Sequence, residues 1–124
     1  MAIEPTDEQL AELEAQVAAG NDEPVVMLNL NRYKPGGHER YIQGYGMVAV
    51  RIVEKVGGRV LWGTAAPQTV IGDERDAYDE VIAVWYPNRQ AFLDLVNDPE
   101  LREAAEDHRR EAVERAAVIA VPKP

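Results

Sequence analysis

Apolar positions along this chain change their period several times, and each change marks an element. Val25 to Asn31 alternates as a strand of seven, with Val26, Leu28 and Leu30 purely aliphatic on one side. The other side, Val25, Met27, Asn29 and Asn31, turns polar toward its end. After a loop with Pro35, Gly36 and Gly37, apolar residues recur at Tyr41, Tyr45, Val48, Ile52 and Val56, a helix face beginning near His38 and closed by Gly57-Gly58. Arg59 to Thr64 alternates again, placing Val60, Trp62 and Thr64 on one side, and Gln68 to Ile71 prolongs this strand after a break at Pro67. A polar, acidic connection from Gly72 to Tyr78 leads to the β-branched and aromatic run Glu80 to Tyr86, a third strand. Asn88 caps a short helix carrying Ala91, Phe92, Leu95 and Val96, and Asn97 ends it. Asp98-Pro99 opens a second helix, with Leu101, Ala105, His108 and Ala112 as its stripe and Glu106–Arg110 and Glu111–Arg115 as supporting ion pairs. Ala117 to Val121 forms a last strand stopped by Pro122.

The resulting order is strand, helix, strand, strand, helix pair, strand. This βαββαβ succession predicts an α+β, ferredoxin-like fold, a four-stranded antiparallel sheet with helices on one face. The opposite face, carrying either Met27, Asn29 and Asn31 or the aliphatic set, then needs a cover. A second subunit is the simplest one, so a homodimer enclosing a barrel-like interior is expected.

Charge separates one segment from the rest. Residues 1–23 hold seven acids and no Lys or Arg, whereas the other 101 residues carry 15 acids against 13 bases. Within that segment Thr6 and Gln9 have capping-box spacing, and Leu10, Leu13 and Val17 form a narrow stripe. An acidic N-terminal helix (1–23) is therefore expected as an appendage to one domain (24–124), docked on its own domain or on a neighbour, with a gating or partner-recruiting role as the bolder reading. A length of 124 residues suits one domain, and a formal charge of −9 argues against nucleic-acid and anionic-membrane partners. No cysteine is present, which excludes disulfides, thiolate zinc sites and cysteine nucleophiles. Apolar runs are too short to span a bilayer, and the N-terminus is acidic where a signal peptide is basic, so a cytoplasmic location is expected.

Pro24-Val-Val-Met-Leu-Asn-Leu-Asn-Arg-Tyr33, Gly57-Gly-Arg-Val-Leu-Trp62 and Val70-Ile-Gly-Asp, taken in order, resemble the domain-of-unknown-function family numbered 1330. Tyr78-Asp79-Glu80-Val81, Tyr86-Pro-Asn-Arg-Gln-Ala-Phe92, Asp98-Pro99-Glu100-Leu101 and His108-Arg109 complete the likeness, which covers residues 24–121. Tyr78 stands where tryptophan is more usual in that family, and Asn88 where serine is. The resemblance implies the dimeric α+β barrel superfamily, whose members include monooxygenases, muconolactone-type isomerases, polyketide cyclases, haem-dependent enzymes and proteins of no assigned activity. It brings no catalytic set.

Candidate chemistry is sparse. His108 projects from an apolar stripe, and reads either as a core or interface histidine or as a general base. Asn29, an amide on a strand face, would polarise a carbonyl or orient an anion, or else be satisfied locally; Asn31 reads as a strand end. Tyr41, Tyr45, Trp62, Tyr78 and Trp85 are candidate pocket walls, and Arg32, Arg59 and Arg109 candidate carboxylate ligands. The set carried forward is His108 and Asn29 as catalytic residues, with Tyr41, Trp62, Tyr78 and Arg109 binding substrate. Gly44-Tyr-Gly-Met-Val-Ala49 imitates a dinucleotide fingerprint inside a helix and is rejected, as is His38-Glu39 as a zincin fragment. No metal and no cofactor is expected. Two classes of function remain: a cofactor-independent isomerase, cyclase or monooxygenase acting on a carbonyl or polyketide-like compound, or a non-catalytic module whose barrel interior is only a dimer core.

Overall fold

The computed structural model describes residues 4–122. Residues 1–3 and 123–124, the outer ends of the two predicted segments, lie outside the described residues. Eight elements follow one another: α1 (Asp7–Ala18), β1 (Val25–Tyr33), α2 (37–55), β2 (Arg59–Ala65), β3 (Glu80–Tyr86), α3 (Arg89–Val96), α4 (99–112) and β4 (Val113–Pro122). The four strands form one antiparallel sheet in the order β2-β3-β1-β4, the ferredoxin-like arrangement expected from the pattern. No helix among the described residues is long and apolar enough to cross a membrane.

Strand register decides which sheet face is covered. Directly opposed residues share a face, so Val25 and Met27 of β1 stand with Tyr86 and Val84 of β3. These four meet Ile52 and Val53 of α2, Ala91 and Leu95 of α3 and Leu101 of α4 in the main core. Asn29 and Asn31 therefore lie on the helix side. The aliphatic set lies on the open side, where Leu28 and Leu30 are flanked by Ile119, Ala117, Ala83 and Val81.

Two irregularities alter the expected faces. In β2 the register shifts between Val60 and Trp62, so Trp62 opposes Ala83 on the open side while Val60 opposes Val84 on the helix side. The simple alternation that grouped Val60 with Trp62 fails because Leu61 is an extra residue, a β-bulge. Trp62 and Trp85 do share the open face, and the Arg59 guanidinium lies 5.2 Å from the Trp85 ring centroid. In β4 the register shifts opposite Arg32 and Tyr33, and Glu114 at the irregularity meets Arg32 Nε at 2.9 Å.

Other boundaries move as well. β1 runs on to Tyr33, two residues past Asn31, and β4 starts at Val113 rather than Ala117. Gln68 to Ile71 is not a strand; Val70 and Ile71 are 83% and 94% exposed in a loop with a short turn at Glu74–Asp76. The helix pattern of Arg110 and Arg115 is also redirected. Arg110 pairs with Glu4 at 2.8 Å, and Arg115, already on β4, donates from Nε to Tyr78 Oη at 3.2 Å.

Helix starts obey local chemistry. Thr6 and Gln9 close the predicted capping box on α1, whose half-buried Leu10, Leu13 and Val17 rest the helix against α3. Asn88 accepts from Ala91 N–H at 2.9 Å, and Asp98 accepts from Glu100 and Leu101 N–H with Pro99 in the first turn. Helices α2 and α4 each contain one wide π turn, Ile42–Gly46 and Ala105–Arg109, and the two turns pack against each other. Gly44 makes this approach possible, since a Cβ there would run into the His108 ring.

Candidate functional site

Where β1 ends beneath the start of α2, an aromatic and polar cluster is assembled. Asn31, 3% exposed, donates from Nδ2 to Tyr33 Oη at 3.4 Å and to Tyr41 Oη at 3.5 Å. Tyr33 Oη in turn donates to Glu80 Oε1 at 2.5 Å, and His38 Nε2 lies 3.2 Å from Glu80 Oε2. The Tyr33 ring is centred 5.0 Å from that of His38 and 5.1 Å from that of Tyr41, with Tyr45 a further 5.2 Å along. Each member has a reason to be there. Asn31 and Tyr33 are two apart on one strand face, Glu80 opposes Asn31 in the register, and Tyr41 and Tyr45 are one turn apart on α2.

Polarity from Asn31 through Tyr33 to Glu80 has one direction. Burial pushes the Tyr33 phenol far above its ordinary range, and the bond to Glu80 adds to the effect. Burial likewise raises the Tyr41 and Tyr45 phenols, with Arg109 opposing the shift in both. Tyr33 is therefore a donor to the Glu80 carboxylate and an acceptor from the Asn31 amide. Along with Asp79, which accepts the Tyr33 backbone N–H at 2.8 Å, the cluster anchors the end of β1 to the start of β3. The charge-assisted bond from Tyr33 to Glu80 is of the strong kind.

Two open grooves adjoin this cluster. One, of about 700 Å³, is lined by Tyr33, Lys34, His38, Asp79 and Glu80. The other, of about 650 Å³, is lined by Glu39, Arg40, Gln43, Gly44 and His108. Gly36 and Glu39 border both. His38 is half-exposed at the first groove, its side chain 55% accessible against 19% for Glu80. Among the described residues no three His, Asp or Glu side chains converge to hold a metal ion.

The residues singled out from sequence scatter across this geometry. His108 faces the second groove, half-exposed over Gly44. Asn29 is not brought to it: its Nδ2 donates to the carbonyls of Met27 at 3.1 Å and Ile82 at 3.4 Å, a local satisfaction within the sheet. Tyr41 belongs to the buried cluster, and Arg109 lies 5.7 Å from the Tyr45 ring centroid. Trp62 is on the opposite side of the sheet from Tyr41, half exposed, so the two do not wall one pocket within a subunit. Tyr78 is bound to Arg115 at the end of the open face. Tyr33 and Glu80 escaped sequence reasoning as site residues, and His38 was weighed there only as a zinc-motif fragment and rejected. Tyr33 was legible as the next same-face residue after Asn31, but Glu80 needs the register between β1 and β3.

No family model and no curated protein matches the chain. Among solved structures, the RPA0582 protein of Rhodopseudomonas palustris, described as being of unknown function, is 32% identical over 98% of this chain and 96% of its own, with a TM-score of 0.83. Its methylated form gives 33% identity over 99% and 95%, with a TM-score of 0.85. The chain belongs to the RPA0582 family. More distantly, this RPA0582-family chain is similar to a dabb family protein with a ferredoxin-like fold from Mesorhizobium loti, at 18% identity over 82% of this chain and 98% of that one, with a TM-score of 0.54. A hydroxynitrile lyase from Passiflora edulis is 15% identical over 83% and 95%, with a TM-score of 0.60. Likeness at this level shows the fold alone, a ferredoxin-like α+β fold.

Proposed function

We propose that this RPA0582-family protein, which we place in the domain-of-unknown-function family numbered 1330, is a homodimeric small-molecule-binding protein. Its ligand seats in the groove beside Tyr33, His38 and Glu80. The observation that carries this reading is the hydrogen-bond network in which buried Asn31, through Tyr33, and half-exposed His38 converge on Glu80 at an open groove of about 700 Å³. A few oriented polar groups at the edge of an apolar cluster are what a small-molecule site requires. The ligand class we favour is a small carbonyl compound, handled without a cofactor by chemistry of the isomerase, cyclase or monooxygenase type. The hydroxynitrile lyase of the same fold is compatible with small-molecule chemistry on such a scaffold.

A second copy of the chain is the proposed cover of the open sheet face. Charges sit at its ends, Arg59 on the Trp85 ring and Arg32 on Glu114. The middle, with Leu28, Val81, Trp62 and Ile119, is uncharged, as suits a self-complementary contact. Native mass spectrometry of protein purified without added ligand tests both parts. A dimer carrying an extra small-molecule mass is the expected result. A bare dimer that also fails to bind small carbonyl compounds favours an assembly module with a filled interior, and a monomer removes the dimer from the proposal.

A further inference from the structure

His38 was set aside on sequence grounds, and its role in the network is more specific than binding. Glu80 presents acceptors only, one oxygen taken by the Tyr33 hydroxyl and the other facing His38 Nε2. A carboxylate oxygen 3.2 Å from a ring nitrogen selects the tautomer in which that nitrogen carries the proton. Neutral His38 then holds its proton on Nε2, and Nδ1 keeps a basic lone pair. The imidazole sits at the rim of the groove, more than half accessible, while the carboxylate that orients it is largely enclosed. The ring is steadied from the other side by its tilted contact with Tyr33. Lys34, lining the same groove, is the nearby cation for a substrate bearing negative charge.

We propose that His38 is a general base, positioned by Glu80 and through it by Tyr33, that removes a proton from carbon next to the carbonyl of a small keto acid. The step balances without a co-reactant. The C–H bond breaks, its proton forms an N–H bond at Nδ1, and the electron pair enters the new C=C bond as negative charge moves to the carbonyl oxygen. Lys34 meets the carboxylate or the enolate. Return of a proton from His38 or water to carbon completes exchange, and its delivery to oxygen gives the enol. This inference rests on the groove being a small-molecule site, and the test separates the two.

Phenylpyruvate is a suitable probe, having an acidic CH2 beside its ketone and a carboxylate for Lys34. Exchange of that CH2 in D2O, followed by proton NMR, is expected to be faster with the wild-type protein than with His38→Ala by a factor of roughly 10² or more, the scale of general-base catalysis. Saturation-transfer NMR reports binding of the same probe independently. Binding without exchange above the His38→Ala level overturns the base and leaves the site standing, whereas neither binding nor exchange overturns both. Glu80→Gln, which keeps an acceptor oxygen but removes the charge, is expected to lower kcat more than it raises KM. Imidazole 15N shifts supply a readout that mere structural support would not move: the Nε2–H tautomer of His38 in the wild type, and loss of that preference in Glu80→Ala. A wild-type His38 with its proton on Nδ1 overturns the positioning role.

Discussion

Gly44 and His108 show how one atom decides the course of two helices. Within a helix interior, Gly to Ala is worth roughly 1 kcal/mol in favour of Ala. Here the added methyl would collide with the imidazole of His108 on the neighbouring helix, and overpacking of that kind costs about 1–3 kcal/mol. Gly44→Ala is therefore expected to lower stability in urea denaturation. In a His108→Ala background the Cβ of residue 108 still lies 2.7 Å from the added methyl, so the same change is expected to remain destabilising but by less, the ring's share of the clash being gone. A destabilisation unchanged by loss of the imidazole would show that the clash is not with the ring. The histidine's place on the stripe was legible from its spacing to Leu101 and Ala112; its partner, a glycine on a different helix, was not.

At the level of elements, helix starts were the most readable features and helix interiors the least. Thr6, Asn88 and Asp98 cap where local hydrogen bonding puts them, independent of the rest of the molecule. The π turns at Ile42–Gly46 and Ala105–Arg109 are the opposite case, arising where two helices cross, and spacing rules written for 3.6 residues per turn do not foresee them. Ala104, in the regular helix before the turn in α4, is buried, while Ala105 and His108 within the turn are half-buried. Asp98 joins a cap to a neighbouring helix. The Lys55 ammonium, donating at 3.0 Å, holds its carboxyl below the usual range against the opposing effect of burial, and the Leu101 and Glu100 N–H groups assist. A group whose folded pKa is depressed stabilises the fold above its unfolded value of about 4, and that contribution is lost as pH falls through the lowered folded value. Asp98→Asn is thus expected to melt below the wild type at pH 7, and the gap should narrow below about pH 4. Thermal melts across pH 2–7 check this, and a gap constant with pH would refute the charge as its source.

For the whole molecule the sheet's open face is the dominant feature. Trp62 and Ile119 stand about half exposed on it, beside Leu28, Leu30 and Val81, with no helix above them among the described residues. An apolar surface of this extent on one face is the mark of an interface. Ile119→Arg places a charge at its centre and is expected to turn the proposed dimer into monomers by sedimentation velocity, with far-UV circular dichroism unchanged. A variant sedimenting as the wild type does would place the contact elsewhere. In the proposed dimer the same face would bring Tyr78 and Arg115, linked at its end, near the second subunit.

Element order, the topology that follows from it, the capped helix starts and the acidic N-terminal helix were all determined by the sequence itself. They depend on interactions within a few residues and on periods that do not need a partner. The faces of β2, the company of His38 and the separation of Asn29 from His108 were decided only by tertiary structure. A single extra residue at Leu61 reverses one strand's outward side chains, and nothing local to Glu80 reveals that it opposes Asn31 across the sheet. Side-chain identity is local, whereas the register that brings Tyr33, Glu80 and His38 within hydrogen-bond reach is a property of the assembled strands. The site is legible only once they are paired.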